Sequence, residues 1–470
     1  MQIALLSHPE PRRVLLLGGG VAGLGPEILK TRTITRLDYV ELDPQLVRLA
    51  QILLPGAAAL ALDPRVEIIY QDARHFLERT RRRYDVILMA LPEPRTAQLN
   101  RFYTLEFFRG VAGRLLPQGI FSFSLPGTET SLHPIRAAYL AMVYHTLGQA
   151  FPEVLALPGE RVRFLAAGSP GALTGDPRVL VQRLQARHLE LRYVREYYLL
   201  QDLSPARQAY LRQILARQPP EINRDLTPGC YFYDLILSTL QEGLGGKEIL
   251  LYLQGLPAYV PWVTLALALL LSGLFLRRRL GPLCLLQVVV MGLGAMTLEI
   301  VVLVLYQIRW GSLYRQVGLL IAAFMAGMAA GGAAGARLGR RYEKAWGLQA
   351  AAQGGLALLA LALVLALSLG APKLSPPWLF LSQGSYVLVL AAGGFGGGLI
   401  FTLSAALWTR ERAAAAGGGI LYAADLLGAT LGSLGASLLI VPVWGILPAL
   451  YLVVALHGAA ALILVSRPAS

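Results

Sequence analysis

The chain has 470 residues but only two cysteines, Cys230 and Cys284, and six histidines. Two thiols cannot form a disulfide framework, and the histidines show no metal-ligand spacing, so neither a disulfide scaffold nor a bound metal is predicted. The opening MQIALLSHPEPRR lacks a charged start and a long apolar core, so no signal peptide is predicted. No internal repeat is apparent.

Acidic residues are scarce in the second half of the chain, where long apolar runs alternate with arginine clusters. The net charge of +14 therefore reflects arginines at the ends of apolar runs, which indicates a lipid bilayer as the partner and not nucleic acid. The sequence predicts a soluble domain over residues 1–240, a linker over residues 241–256 and a transmembrane domain of about seven helices over residues 257–470.

A glycine turn organises the soluble domain. Four apolar residues, Val14 to Leu17, lead into it, and a second apolar run ends at Glu41, 18 residues after the last glycine of the turn. This pattern predicts a strand, a turn that lets the backbone approach a ligand, a helix and a second strand whose carboxylate binds both ribose hydroxyls. A plain tight turn is the alternative. The turn contains Gly18, Gly19, Gly20 and Gly23.

The following segments alternate between strand and helix patterns. Strands are predicted at residues 66–70, 84–89, 120–125, 154–157 and 162–166, with helices at residues 44–54, 103–116 and 132–150. This alternation is typical of an α/β doubly wound sheet of the Rossmann type, with its ligand crevice at the carboxyl ends of the strands. Asp72, followed by Ala73, ends the third strand and is predicted to accept a hydrogen bond from an adenine amino group.

Several ordered motifs resemble the spermidine synthase (polyamine aminopropyltransferase) family, in particular its membrane-fused bacterial branch. They are RRVLLLGGG, VELDP, QDAR, YDVI, LNRFYTLEFF and INRDLTPGCYFYD, and the resemblance covers residues 4–240. It implies the methyltransferase-like Rossmann fold and a pocket for decarboxylated S-adenosylmethionine or methylthioadenosine. The residues implied to hold this nucleoside are Gly18, Gly19, Gly20, Gly23, Glu41, Asp72 and Ala73.

The chain departs from the family at the positions that would perform aminopropyl transfer. Val21 replaces an aspartate of the glycine turn, and Ala90 replaces the aspartate that accepts the proton of the attacking amine. Loss of a general base is expected to cost about 10² to 10⁴ in rate. The family's small N-terminal β-domain is also missing. Glu93 is the remaining acid of the catalytic loop.

These departures favour an altered or inactive nucleoside-binding domain, with a catalytic or structural role inside a larger membrane complex. The alternative is an active membrane-tethered aminopropyltransferase in which Glu93 or a residue of a partner chain serves as the base. A second membrane subunit or a homodimer mate is the expected partner, because the β-domain that walls the family's amine pocket is absent.

Seven spans are predicted, at residues 257–276, 281–306, 316–336, 346–369, 379–408, 417–441 and 446–465. The links after the odd-numbered spans carry nine cations and those after the even-numbered spans carry three, which places the odd links in the cytoplasm and the soluble domain outside it, at a bacterial inner (plasma) membrane. The nine are Arg277, Arg278, Arg279, Arg337, Arg340, Arg341, Lys344, Arg410 and Arg412, and the three are Arg309, Arg315 and Lys373.

Two intramembrane features bear on function. Glycines recur every four residues from Gly327 to Gly339, which predicts a smooth face for close helix packing. Glu299 and Asp425 lie inside predicted spans, so they are candidates for a proton or cation site or for buried hydrogen-bonded pairs. The spans also distantly resemble six helices of a major-facilitator-type half. A transporter component for cations or polyamines is therefore the third hypothesis.

Overall fold

The computed structural model describes residues 2–128, 132–189, 195–243, 246–311, 314–339, 342–368, 382–409 and 414–467. Arg340, Arg341, Lys373, Arg410 and Arg412, which contribute to the predicted orientation, lie outside these residues, as do the side chains of Arg315 and Lys344. The chain divides into two compact units, Met1–Gly245 and Gly246–Ser470.

The first unit is built on one sheet of seven strands in the order β3-β2-β1-β4-β5-β7-β6. Strands β1 to β5 are parallel, and β7 runs antiparallel to both β5 and β6. The doubly wound α/β prediction is therefore confirmed. The strands are β1 (Arg13–Leu17), β2 (Arg36–Glu41), β3 (Val66–Tyr70), β4 (Tyr84–Met89), β5 (Leu115–Thr128), β6 (Glu153–Leu157) and β7 (Gly159–Ala167).

Helices cover the sheet and continue after it. Asp43, Asp72, Thr96 and Thr104 each cap the first turn of a helix with a side-chain oxygen, which fixes where four of these helices begin. The helices are α1 (Gln2–Ser7), α2 (Leu24–Leu29), α3 (Pro44–Leu53), α4 (Pro55–Leu62), α5 (Ala73–Arg79), α6 (Ala97–Asn100), α7 (Leu105–Ala112), α8 (Pro134–Gly148), α9 (Pro177–Ala186), α10 (Glu196–Asp202), α11 (Pro205–Ala216) and α12 (Gly229–Gln241).

The core of this unit is apolar on both faces of the parallel strands. Val14 to Leu17 are completely buried, as a central parallel strand requires. In the register of the sheet, Leu17 lies beside Val40 and Met89, and Glu41 lies beside Tyr70. The carboxyl ends of β1, β2, β3 and β4 thus meet at one edge.

Among its described residues, the second unit contains seven helices that are long and apolar enough to cross a membrane, as predicted. A short helix, α13 (Lys247–Gln254), precedes them. A π-helical turn at Gly435–Ile440 and the short α20 (Val441–Trp444) extend the sixth candidate span. The long helices are α14 (Tyr259–Leu276), α15 (Leu280–Trp310), α16 (Tyr314–Leu338), α17 (Tyr342–Ser368), α18 (Gln383–Trp408), α19 (Ala414–Leu434) and α21 (Ile446–Val465).

The glycine face of α16 packs directly on α18. A Cβ atom on Gly331 would lie 2.0 Å from the carbonyl oxygen of Phe395, and one on Gly394 would lie 2.1 Å from that of Phe324. Only glycine permits this approach of backbone to backbone, so the predicted packing face is confirmed.

The second unit also contains an internal repeat, which was not apparent from the sequence. Helices α15, α16 and α17 correspond in order to helices α18, α19 and α21. The contact of α15 with α19 is matched by that of α18 with α16, and the contact of α15 with α21 is matched by that of α18 with α17. Because each repeat has three helices, equivalent helices run in opposite directions through the unit, which makes this an inverted repeat.

The repeat holds at the level of single residues. Gly292 of α15 packs on the backbone of Asp425 as Gly394 of α18 packs on that of Phe324, and three further glycine contacts follow the same correspondence. They are Gly428 on Val289 matched by Gly327 on Ala391, Gly432 on Leu293 matched by Gly331 on Phe395, and Gly294 on His457 matched by Gly396 on Leu356. The sequence alone hides this repeat, since it is carried mainly by a few small residues.

Candidate functional site

The glycine turn adopts a backbone that other residues rarely adopt. Gly18, Gly19 and Gly23 have φ angles of 72°, 69° and 92°. Gly20 lies on the ring of Tyr39, where a Cβ atom would come within 2.5 Å of the ring carbons. The amide of Gly18 donates to the carbonyl of Val40 at 2.9 Å, which ties the turn to β2. The turn is therefore fixed in place by both its conformation and its packing.

Glu41 is held beside this turn by Tyr39. The Tyr39 hydroxyl donates to Oε2 of Glu41 at 2.7 Å, and the amide of Leu42 donates to Oε1 at 2.9 Å. Burial of Tyr39 and its hydrogen bond to Glu41 raise the pKa of the phenol, while the backbone amides of Val21 and Gly20 oppose the shift. Two parts of the predicted site, the turn and the ribose-binding acid, are thus joined through a tyrosine that the sequence analysis missed.

Asp72 lies at the same edge, but its carboxylate is occupied. It accepts hydrogen bonds from the amides of Arg74 and His75, each at 3.1 Å, and it pairs with the guanidinium of Arg101 through both oxygens. Asp72 is 8% exposed and Arg101 2%. A carboxylate has about four acceptor positions. Three of these four donors reach Oδ1 and only Arg101 reaches Oδ2, which leaves one acceptor position, on Oδ2. Ala73 follows as the first residue of α5 and is buried.

A second buried ion pair supports the first. Arg74 binds Asp225 through two parallel hydrogen bonds of 2.9 and 2.6 Å, and Thr104 donates to the same carboxylate at 2.8 Å. Burial opposes the charge of Arg74, but Asp225 outweighs it and the pKa of the guanidinium is raised. The segment that contains Asp225 is thereby fixed to the crevice edge. The charged residues inside otherwise apolar motifs were the sequence signal for this network.

The loop after β4 brings Ala90 against the glycine turn. The amide of Ala90 donates to the carbonyl of Leu17 at 2.9 Å, and the Ala90 methyl lies 2.6 Å from where a Cβ atom of Gly19 would be. The position expected to carry the amine-activating carboxylate is therefore next to the turn, as the resemblance implies. It carries a methyl group, which cannot accept a proton.

Glu93, the other acid of this loop, is paired with arginines. Its carboxylate lies 3.2 Å from Nη1 of Arg161 on β7 and 3.5 Å from Nη2 of Arg95, and its side chain is 19% exposed. Arg161 also donates to the carbonyl of Ser124 at 3.2 Å, so its position is fixed. Two guanidinium groups offset the charge that would attract a cationic amine.

Another carboxyl group lies within electrostatic range of Glu93. Burial of Asp234, on α12, raises the pKa of its carboxyl; Arg95 opposes the shift, and Glu93 adds to it. Burial and Glu93 likewise raise the pKa of Tyr103, whose hydroxyl donates to the carbonyl of Pro92 at 3.0 Å. Asp234 was quoted in the sequence analysis only as part of a motif.

The two intramembrane acids are separate from each other. Glu299 on α15 is 4% exposed, and its Oε2 has no hydrogen-bond partner among the described residues. Asp425 on α19 is half-buried, with Oδ1 close to Gly292. The buried hydrogen-bonded pair is the alternative to a proton or cation site, with Gln307, Tyr306 or Tyr422 as the expected partner; the described contacts give no hydrogen bond from either acid to these residues. Among the residues that the structure describes, no group of three His, Cys, Asp or Glu side chains is placed to hold a metal.

Residues 1–154 match the spermine/spermidine synthase domain. The polyamine aminopropyltransferase of Oceanobacillus iheyensis is 40% identical over 119 residues, which are 25% of this chain and 23% of that protein. That of Thermococcus onnurineus is 29% identical over 150 residues, 32% of this chain and 51% of that protein. That of Bacillus subtilis is 34% identical over 119 residues, 25% of this chain and 43% of that protein. The chain thus spans about half or less of these relatives.

Two solved structures are similar to part of the chain. Spermidine synthase from Thermotoga maritima has 20% sequence identity and a TM-score of 0.36, over 46% of this chain and 71% of that chain. Human methyltransferase-like protein 13 in complex with SAH has 18% identity and a TM-score of 0.34, over 43% of this chain and 96% of that chain.

Proposed function

From the spermine/spermidine synthase domain in residues 1–154, we propose that this chain is a membrane protein whose N-terminal unit binds an adenosine thioether and lacks the usual base for aminopropyl transfer. The ligand class is methylthioadenosine or decarboxylated S-adenosylmethionine. One observation carries the proposal: Tyr39 joins the glycine turn to Glu41, while the methyl of Ala90 lies against Gly19.

The ribose is the part of the ligand that this edge fits best. Glu41 keeps acceptor capacity on both oxygens beyond the bonds from Tyr39 and Leu42, so it can accept from two hydroxyl groups. The turn offers backbone amides in a conformation that lets a ligand approach closely. The adenine amino group, by contrast, meets a carboxylate on Asp72 that already accepts four hydrogen bonds from the protein and has one acceptor position left, on Oδ2.

Loss of the base accounts for an altered reaction. An attacking amine must first lose a proton, and its pKa is near 10, so a carboxylate next to the reacting atoms is worth about 10² to 10⁴ in rate. Ala90 supplies none, and Glu93 is ion-paired with two arginines. The chain is therefore expected to bind the nucleoside with slow or no transfer to putrescine.

Calorimetric titration of the full chain in detergent with methylthioadenosine tests binding. Tyr39→Phe removes the hydrogen bond that holds Glu41, which is worth about 1 kcal/mol, so about fivefold weaker binding is expected. Tyr70→Phe is the matched control, because Tyr70 ends the neighbouring strand and is half exposed. Absence of heat from a folded chain would contradict the proposal.

A methylthioinosine analogue, which lacks the amino group, tests the role of Asp72. If Asp72 accepted a hydrogen bond from adenine, loss of that bond would cost about 1.5 to 3 kcal/mol, or more than tenfold in affinity. Because Arg101 pairs with both oxygens and offsets the charge of the carboxylate, we expect the two ligands to bind within about threefold of each other. A larger preference for the adenosine compound would show that Oδ2 of Asp72 accepts a hydrogen bond from the adenine.

An active transferase is the second candidate, and Asp234 favours it. A carboxyl with a raised pKa near the reaction edge is a candidate general base. An assay of aminopropyl transfer separates the two: Ala90→Asp should create or strongly increase activity under the first proposal. Activity in the unmodified chain that Asp234→Asn abolishes would support the second.

We further propose that the seven apolar helices place the chain in a bacterial inner membrane, with the N-terminal unit outside the cytoplasm and a second subunit or copy as partner. The arginine distribution supports this orientation. Both native cysteines are buried, so Arg48→Cys, at an exposed position of α3, gives a single reactive thiol. If the N-terminal unit lies outside the cytoplasm, an impermeant maleimide is expected to label this cysteine in intact cells.

Light scattering of the solubilised chain tests the second part of the proposal, because it gives the number of subunits.

A further inference from the structure

The inverted repeat allows each buried residue of the membrane unit to be compared with its equivalent. Gly294 makes room for Nε2 of His457, where a Cβ atom would lie at 2.2 Å, and Gly396 makes the same room for Leu356, at 2.7 Å from Cδ2. The fold therefore fills one of two equivalent spaces with leucine and the other with histidine. Packing alone is satisfied by leucine, so the imidazole needs another explanation.

His457 is the end of a hydrogen-bonded chain of completely buried side chains. Its Nδ1 contacts Oε1 of Gln353, Nε2 of Gln353 donates to Oε1 of Gln287 at 2.8 Å, and Nε2 of Gln287 donates to the carbonyl of Ala460 at 3.4 Å. The equivalents of Gln287 and Gln353 in the other repeat are Val389 and Val454. The polar chain thus exists on one side of the repeat only, although buried polar groups are costly within a membrane.

The direction of this chain fixes the state of the imidazole. The carbonyl of Ala460 can only accept, so Gln287 presents its amide nitrogen to it and its oxygen to Gln353. Gln353 must then present its own oxygen to His457, which makes Nδ1 the protonated nitrogen. Nε2 is left with a lone pair, is completely buried and has no hydrogen-bond partner among the described residues.

We propose that His457 is a proton-binding site of the membrane unit, with Gln353 and Gln287 as positioning residues. A proton is the ligand that fits, because Nε2 lies directly against Gly294, in the space that a side chain there would fill. Histidine is also the side chain whose charge changes at physiological pH. The proposal goes beyond nucleoside binding and concerns the other unit.

The surroundings of His457 contain few other ionisable groups. Among the described side chains of the helices packed on α21, α17 carries none and α14 carries Tyr259. Those of α15 are Cys284, Glu299, Tyr306 and Arg309. Glu299 is the one carboxyl in this set, five residues beyond Gly294 or about 7.5 Å along the helix.

Proton binding is coupled to the position of α21. A proton on Nε2 turns the nitrogen into a donor that faces Gly294, where the described residues offer it no acceptor. The arrangement seen here therefore favours the neutral form, and an arrangement in which α21 moves away from Gly294 favours the charged form. A ligand that binds two arrangements unequally shifts the population between them, which makes pH a control of this helix.

The test is ¹⁵N-histidine NMR on the full chain in lipid nanodiscs, with His457→Leu identifying the signal. At high pH the expected spectrum is the neutral imidazole with the proton on Nδ1, and acidification below about pH 6 converts it progressively to imidazolium. Gln353→Val removes the acceptor of Nδ1–H, so a loss of proton affinity of about 3- to 10-fold is expected. The matched control is Gln349→Leu, which removes a bond to Ser404 and takes the residue of the equivalent position, Leu450.

A neutral signal down to pH 4, or a proton found on Nε2 at high pH, would overturn the proposal. So would a Gln349→Leu effect as large as that of Gln353→Val. If His457→Leu does not fold, replacing the other five histidines with glutamine leaves a single signal to assign. They are His8, His75, His133, His145 and His188, and all belong to the first unit.

Discussion

The two units differ in how they hold buried charged groups. In the first unit the buried carboxylates and guanidinium groups of the described residues are ion-paired: Asp72 with Arg101, Arg74 with Asp225, and Asp38 with Arg36 and Arg82. In the second unit the buried carboxyl of Glu299 has an oxygen, Oε2, without a hydrogen-bond partner among the described residues. Open polar atoms as such occur in both units, since Nε of Arg101 and the hydroxyl of Tyr139 also have no partner among the described residues. The contrast between the units therefore lies in the pairing of their buried charged groups.

Breaking a pair in the first unit is expected to have the largest effect. Asp225→Asn leaves the buried guanidinium of Arg74 without its charged partner, so the free energy of unfolding should fall by about 3 to 5 kcal/mol. Thermal unfolding, monitored through hydrogen exchange of the amides of residues 1–245, measures this loss of stability. Asp202→Asn, which breaks an exposed pair with Arg207, is the control and should cost less than about 1 kcal/mol. Equal effects would mean that the buried pair is unimportant.

Removing a buried carboxyl group from the second unit should raise the free energy of unfolding instead of lowering it. Glu299→Leu removes a carboxyl that bears an open oxygen, so the unit should gain about 1 to 3 kcal/mol of stability. Thr297→Val, on the same helix, removes a hydroxyl bonded to the carbonyl of Leu293 and should lower stability slightly. Thermal unfolding in detergent compares them. Destabilisation by Glu299→Leu would show that the carboxyl is paired in the folded state and would end the contrast between units.

High pH should weaken the first unit gradually. Burial and the hydrogen bond to Asp38 raise the pKa of Tyr84 in the folded state, whereas the unfolded chain loses that proton near pH 10. Above that pH the folded state holds more protons than the unfolded state, so stability falls by up to about 1.4 kcal/mol per pH unit for this tyrosine. Unfolding by urea between pH 9 and 11 measures the slope. Tyr84→Phe should reduce the slope by up to that amount, because Tyr39 and Tyr103 also have raised pKa values and contribute the remainder. An unchanged slope would show that Tyr84 does not contribute to it.

Local sequence pattern predicted the elements but not the contacts between them. Strands β3 and β4 and the seven membrane helices follow from apolar periodicity and length, and the glycine turn follows from its residues. The second helix after β2, at Pro55–Leu62, was missed, and β5 is longer than predicted. Both lie where apolar residues continue through a turn without a marked change in pattern.

The partners of the predicted site residues could not be predicted, because they come from distant segments. Arg101 reaches Asp72 from another loop, and Arg161 reaches Glu93 from β7. The inverted repeat was missed for a related reason: its evidence is a set of matching contacts, and many of the residues that make them differ between the repeats. Physical pairing at a distance leaves little trace in one sequence.

The pairing of the membrane helices also constrains how the chain is made. Each of α15, α16 and α17 has its chief partner in the later repeat, on α19, α18 and α21 respectively. During synthesis the first three helices therefore remain in the bilayer without these partners, and their small-residue faces stay unpacked until the last three helices have been inserted. Chains truncated by premature stop codons in the second repeat would be left in that state, and membrane proteases that detect unassembled segments should degrade them quickly.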